Sequence, residues 1–292
     1  MAYCYCLGCS QLLNFCTCKK GETMKQMTPK EARRVIGTIR KLTAEYFANA
    51  NKKYAVLGVS GGLDSAVVAG IMSGIKSIKT IGCILPCHSN ALDERLADKV
   101  ITKFKLQKER VCLDDVYQNT MSCLTTNLKN ISDDRIRIAQ GNVKARLRMI
   151  ALYHIAQLTD GIVLGTGNYS EYLTGFTTLH GDAASDFDCI HRLWKSTEVV
   201  ALAKALKVPA EIIKRPPTDG LTANGKDEDQ LGLPYKELDP ILELTQTKRF
   251  TRDIMEVSGR SEYVVKQVLN RVNNSEFKRN HPKVLTREEL GL

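Results

Sequence analysis

Along the chain, apolar positions recur first at helical spacing and then in short unbroken runs, and the two patterns alternate. In MTPKEARRVIGTIRKLTAEYFANA, Val35, Ile39, Leu42 and Tyr46 or Phe47 follow a period near 3.6. Thr28 as N-cap, Pro29 at the first helical position and Glu31 three residues after the cap predict where that helix begins. YAVLGV (54–59) is a continuous apolar run, as expected for a strand covered on both faces of a parallel sheet. SAVVAGIMSGI (65–75) then reads as a helix, KTIGCILP (79–86) as a strand stopped by Pro86, and ALDERLADKVITKF (91–104) as an amphipathic helix. ERVCLDDV (109–116) holds a third strand, 134–160 a long helix, and GIVLGTG (161–167) a fourth strand ending in glycines.

This alternation predicts an α/β fold: a doubly wound, Rossmann-like parallel sheet of about five strands with helices on both faces. Ligands are then expected at the carboxyl ends of the strands. Beyond residue 167 the pattern changes. Residues 176–194 are rich in Gly, Asp and Ser and predict an ordered loop. KSTEVVALAKALKV (195–208) predicts a helix stopped by Pro209. The polar stretch 215–232, with Pro216-Pro217 and three glycines, has the composition of a lid or binding loop, and 218–230 is its expected moving part. The last sixty residues return to helix.

At 292 residues, 43% hydrophobic and 25% charged, the chain suits one large domain or a main domain with an appendage. No run approaches the roughly 18 apolar residues of a membrane span, and the start has no basic-then-apolar leader pattern. A cytoplasmic protein without membrane contact is expected. The net charge of +10 points to an anionic ligand. Long basic runs are absent and aromatics make up only 6%, which favours a small phosphate compound over nucleic acid.

The ten cysteines divide evenly. Cys83, Cys87, Cys112, Cys123 and Cys189 are scattered, like ordinary reduced thiols, while Cys4, Cys6, Cys9, Cys16 and Cys18 crowd the N-terminus. Four of those thiolates could hold Zn2+, but only one C-x-x-C is present where a zinc site usually has two. An oxidisable arm without metal is the other reading. Residues 1–27 are therefore set apart as a Cys-rich arm from a domain spanning 28–292.

The strongest chemical signal is GVSGGLDS (58–65). A strand running through small residues into a helix start presents main-chain N–H groups to phosphate. The lysine of the common kinase-type loop is missing. Asp64 instead asks for a divalent cation between itself and a polyphosphate.

This loop resembles that of the ATP-pyrophosphatases, enzymes that cleave ATP between its α- and β-phosphates. A second stretch, GTGNYSEYLTGFTTLHGDAASD (165–186), resembles the signature of ammonia-dependent NAD synthetase. LPCHSN (85–90), GNVKARLRM (141–149), LWKSTEV (193–199), PPTDGL (216–221) and DEDQLG (227–232) match blocks of that family in order, so the similarity runs from about residue 28 to about 280. The resemblance implies an adenine-nucleotide α-hydrolase-like fold with a helical C-terminal part, and a homodimer whose dinucleotide sites involve both subunits. It implies ATP as co-substrate with Mg2+ on Asp64 and Glu171. ATP would be bound by Gly58, Val59, Ser60, Gly61, Gly62, Leu63, Asp64, Ser65, Arg148, Thr166, Lys195 and Thr218. Nicotinate adenine dinucleotide would meet Arg146, Phe176, Asp182, Asp186 and Lys278, and the catalytic set would be Asp64, Glu171, Lys195 and Asp182. The stretch before Thr28 is too short for the amidase domain of glutamine-using relatives, which implies free ammonia or a separate amidase. Leu179 and His180 depart from the family, which carries lysine and tyrosine there; the lysine would lie near the dinucleotide. A related ATP-pyrophosphatase acting on tRNA or another carboxylic acid is the alternative, and HGDAASD and DEDQLG argue against the tRNA enzyme.

Overall fold

The computed structural model describes residues 24–124, 127–218, 227–248, 250–280 and 282–292. The cysteines at 4, 6, 9, 16 and 18, and residues 219–226 of the expected lid, lie outside the described residues. Helix α1 (Pro29–Asn49) starts as expected, with Thr28 and Glu31 closing a reciprocal capping box. Its buried face is Ala32, Ile36, Thr43 and Phe47, with Val35 and Ile39 beside it. The expected stripe is rotated: Leu42 and Tyr46 stay exposed.

Five parallel strands follow in the order β3-β2-β1-β4-β5. Strands β1 (Tyr54–Gly58), β2 (Lys79–Ile84) and β4 (Ile162–Gly165) are the apolar runs seen in the sequence. Helix α2 (Leu63–Met72) joins β1 to β2, and α3 (Ala91–Phe104) joins β2 to β3. Strand β3 lies at Gln107–Arg110, earlier than expected, and all four residues are exposed. Register selects it: Ile81 pairs with Gln107 and Ile84 with Arg110. Backbone pairing at an edge needs no apolar side chain, and charge there discourages further pairing. The apolar residues just downstream hug the extension of β2 through Val111 N–H to Ile84 O (3.1 Å) and Leu113 N–H to Pro86 O (2.8 Å). The end of the expected strand is instead the start of a helix, α4 (Asp114–Cys123).

Helix α5 (Asp133–Thr159) then carries the chain back across the sheet to β4, on the far side of β1. The alternation of side chains along β1 divides the core. Ala55 and Leu57 pack with α1, α2, α3 and α7 (Val200–Ala205), and Val56 packs with Leu147, Met149 and Leu152 of α5. A third cluster joins α6 (Tyr169–Thr174), α10 (Tyr235–Thr245), α11 (Thr251–Ser258) and α12 (Glu262–Asn274) around Leu238, Ile241, Leu242 and Trp194. The helices on both faces and the helical C-terminal part accord with the expected architecture.

Two expectations are corrected downstream. Within the expected loop, Phe187–Asp188 forms a short fifth strand, β5, on β4. Residues 195–208 are not one α-helix. They open with a π-helical turn, Lys195–Val199, closed by Val199 N–H to Trp194 O at 3.0 Å, before α7 begins. Among the described residues, no helix is long and apolar enough to cross a membrane.

Candidate functional site

Strand β2 lies on one side of β1 and β4 on the other, so the connections leaving β1 and β4 diverge and open a crevice at their carboxyl ends. A cavity of about 870 Å³ occupies that place. Of the loop 58–65, Gly58, Val59, Ser60, Gly62, Leu63, Asp64 and Ser65 line it. Gly61 does not. It has φ +80°, and a Cβ there would collide with the Asp93 carbonyl oxygen, so the turn requires glycine. The two serines brace the turn from within: Ser65 Oγ donates to Gly62 O (3.2 Å) and Gly62 N–H donates to Ser60 Oγ (3.2 Å).

Asp64 lies in the first turn of α2 and faces Lys195 of the π-turn, with which it forms a buried ion pair. Its other oxygen accepts from Asn168 Nδ2 (3.3 Å). Asn168 is also the N-cap of α6: its Oδ1 takes Glu171 N–H (3.0 Å), and Glu171 Oε2 takes Asn168 N–H (3.2 Å). Asn168 thus sets the two carboxylates side by side. Burial, and next the charge of Asp64, push Glu171 up to about 8. Burial works against the Lys195 ammonium, but Asp64 and Glu171 outweigh it and raise its pKa. Tyr235 of α10 covers the group, its ring centroid 5.7 Å from Lys195 Nζ and its hydroxyl 3.5 Å from Asp227 Oδ2. Asp227 begins α9 (Asp227–Leu231), so the downstream part of the expected lid is helix with Asp227 and Leu231 buried.

The rest of the cavity wall holds Arg148, Thr166, Phe176, Asp182, Thr218 and Lys278, all expected from the sequence. Arg148 donates to Leu85 O (3.1 Å) and Ser89 Oγ (3.2 Å), and burial lowers its pKa. Asp182 Oδ1 accepts Thr178 N–H (2.9 Å), and burial raises its pKa. Lys278 donates to the carbonyls of Gly175 (2.7 Å) and Thr177 (2.6 Å). Besides Gly61, two expected residues are not on this wall. Arg146 is exposed and donates to Leu179 O (3.2 Å). Asp186 ties β4 to α5, accepting Val163 N–H (2.8 Å) and Tyr153 Oη–H (2.9 Å).

Among the described residues, no cluster of three or more His, Cys, Asp or Glu side chains is arranged to hold a metal ion. Asp64 and Glu171 nevertheless fit a magnesium ion that arrives with a triphosphate. Magnesium commonly takes one or two protein carboxylates and completes its shell with water and phosphate oxygen. The repulsion that raises the Glu171 pKa is what a shared cation would relieve.

The profile described as NAD synthase matches residues 35–282. The chain belongs to the NAD synthase family. Members of this family are ATP-using ligases that form a C–N bond. The chain is 35% identical over 240 residues to the NH(3)-dependent NAD(+) synthetase of Pyrococcus furiosus, covering 82% of this chain and 90% of that one. It is 32% identical over 270 residues to the enzyme of the same description from Methanocaldococcus jannaschii, covering 90% and 97%. Among solved structures it is similar to the NH3-dependent NAD synthetase of Campylobacter jejuni (TM-score 0.70, 25% identity, 87% and 99% covered). It is also similar to the NMN synthetase of Francisella tularensis (TM-score 0.74, 28% identity, 89% and 98% covered).

The structure adds Asn168, Asp227, Tyr235 and Asp239 to the residues around this NAD synthase-type site. Asn168 was legible, since N-x-x-E before a helix is a capping-box pattern. Tyr235 and Asp239 carried no such signal: they sit four apart on the buried face of an amphipathic helix, and only packing reveals what they face.

Proposed function

We propose that this protein amidates nicotinate adenine dinucleotide with ammonia to give NAD, with ATP leaving as AMP and pyrophosphate. The observation that carries this reading is the Asp64–Lys195–Glu171 group set beneath the Gly58–Ser65 turn in one cavity. First, an oxygen of the nicotinate carboxylate attacks the α-phosphorus of ATP and pyrophosphate departs. Both reactants are anionic, so the barrier is largely electrostatic. Lys195 and the main-chain N–H groups of the turn stabilise the charge that develops on pyrophosphate. Mg2+, held by Asp64 and Glu171, would supply further neutralisation of the polyphosphate. Ammonia then attacks the activated carbonyl and AMP leaves, with Asp182 attracting ammonium and taking its proton.

A homodimer completes the proposal. Leu42 and Tyr46 of α1 and Ile150, Tyr153 and Leu158 of α5 are exposed. Tyr46 stacks on Phe187 of β5 at 4.7 Å, and Tyr46 and Tyr153 both bond Asp186, so these side chains make one apolar face at the open sheet edge. A second copy of this chain would cover it. A cytoplasmic location is part of the same reading.

Leu179, standing where a lysine is expected near the dinucleotide, favours a second substrate, nicotinate mononucleotide. The F. tularensis relative is named for the mononucleotide product. One assay tests both readings: protein, ATP, Mg2+ and ammonium with either the dinucleotide or the mononucleotide. The expected products are NAD, AMP and pyrophosphate, with higher kcat/KM for the dinucleotide. ADP, or no product from either acid, would sink the proposal.

A further inference from the structure

Asp239 is fully buried in α10, one helical turn after Tyr235, and the chemistry described above does not use it. A buried carboxylate is costly unless it is bonded. Asp239 Oδ2 is bonded twice to a single residue: it accepts Ser196 N–H at 2.8 Å and Ser196 Oγ–H at 2.6 Å. Ser196 directly follows Lys195.

The neighbouring amides are held in the same manner. Trp194 N–H donates to Glu198 Oε2 (2.8 Å), and Lys195 N–H donates to Ser170 Oγ (3.2 Å). The first N–H groups of a helix have no partner within it. Here the three amides of Trp194, Lys195 and Ser196 are each taken by a side chain of a different element: the π-turn itself, α6 and α10. A π-turn is rarely adopted without a local cause. Ser170 also neighbours Glu171 in α6, so the clamp joins the two elements that carry Lys195 and Glu171.

We propose that Asp239 is a positioning residue: by fixing Ser196 it sets the turn from which the Lys195 ammonium reaches Asp64 and the cavity. The inference rests on the role given to Lys195 above and names the device that aims it. An ammonium on a flexible stem must be held within a fraction of an ångström of its working place, and a misplacement of about 1 Å costs on the order of 100-fold in rate. Asp239 is not among the residues that line the cavity, so its loss should be felt in turnover rather than in binding of the dinucleotide.

The test is a double-mutant cycle on the full chain. Adenylation is followed in single turnovers with labelled ATP, a format that reads very slow rates. Asp239→Asn should lower the rate by roughly 10- to 100-fold while KM for the dinucleotide stays within about twofold. Ser196→Ala, which keeps the main-chain bond, should show a smaller loss in the same direction. In a Lys195→Ala background, Asp239→Asn should change the rate by less than about twofold, although the melting temperature falls equally in both backgrounds. An equal fold-loss with and without Lys195 would overturn the positioning role and leave the part played by Lys195 intact. A Lys195→Ala protein with the parent rate would overturn both. If Asp239→Asn does not fold, Ser196→Ala carries the same cycle.

Discussion

Asp182 shows what one residue can and cannot reveal. Its place in HGD marked it as a candidate, but the reason it could act is its setting. Burial raises its pKa, while Thr178 N–H and, more weakly, Lys278 favour its charged form. A carboxylate so balanced can attract ammonium and accept its proton. Asp182→Asn should therefore slow ammonia-dependent NAD formation by roughly 10- to 1,000-fold and change ATP–pyrophosphate exchange by no more than about threefold. Equal loss in the two assays would remove Asp182 from the ammonia step. At the same scale, Asp64 was readable from the chemistry of its glycine-rich turn, whereas Glu171 and Lys195 came only from the resemblance of their blocks to the family. That Glu171 would be pushed up to about 8 was not readable, since it takes burial first, and then the charge of Asp64 on another element, to do it. Arg146 and Asp186 mark the opposite limit. Both occupy matched blocks, yet one donates to a loop carbonyl and the other ties β4 to α5, away from the cavity wall.

Among the elements, local chemistry was legible where it is local in cause. The start of α1 is the clearest case. Bonds from the Thr28 backbone and hydroxyl, then from Lys25, hold the Glu31 carboxyl down to about 2, against an ordinary 4.5. A carboxyl depressed by folding stabilises the protein above its unfolded pKa, and that contribution is lost as pH falls towards the folded value. Glu31→Ala should thus lower the urea midpoint at pH 6, and the gap to the parent should narrow steadily as pH is taken from 5 towards 3. A gap that does not change with pH would mean the glutamate acts by packing alone. The strand β3 and the π-turn were not legible for the contrary reason. Four exposed residues become a strand because β2 offers an unpaired edge. At Lys195 the first amides of the π-turn are taken by Ser170 and Asp239, which lie on other elements and leave no mark in the local sequence.

For the molecule as a whole, the apolar face of α1, α5 and β5 makes a prediction that no single helix could. Ile150 and Leu158, 66% and 72% exposed, lie on the face that the proposed second copy would cover. Ile150→Glu combined with Leu158→Glu should shift the protein from dimer to monomer in sedimentation at micromolar concentration, with the fold retained by circular dichroism. A parent protein that sediments as a monomer would overturn the homodimer, and a variant that stays dimeric would place the interface elsewhere. The sequence by itself determined the alternating fold and the glycine-rich turn, because small residues at a strand end and apolar runs of set length have few physical uses, and its ordered blocks carried the resemblance to the family. Only the tertiary structure decided that Asp64, Glu171, Lys195, Asp227 and Tyr235 line one cavity, that Asn168 and Asp239 stand behind them, and that Asp186 does not line it. Electrostatic coupling and burial depend on distances across separate elements, and sheet order sets those distances.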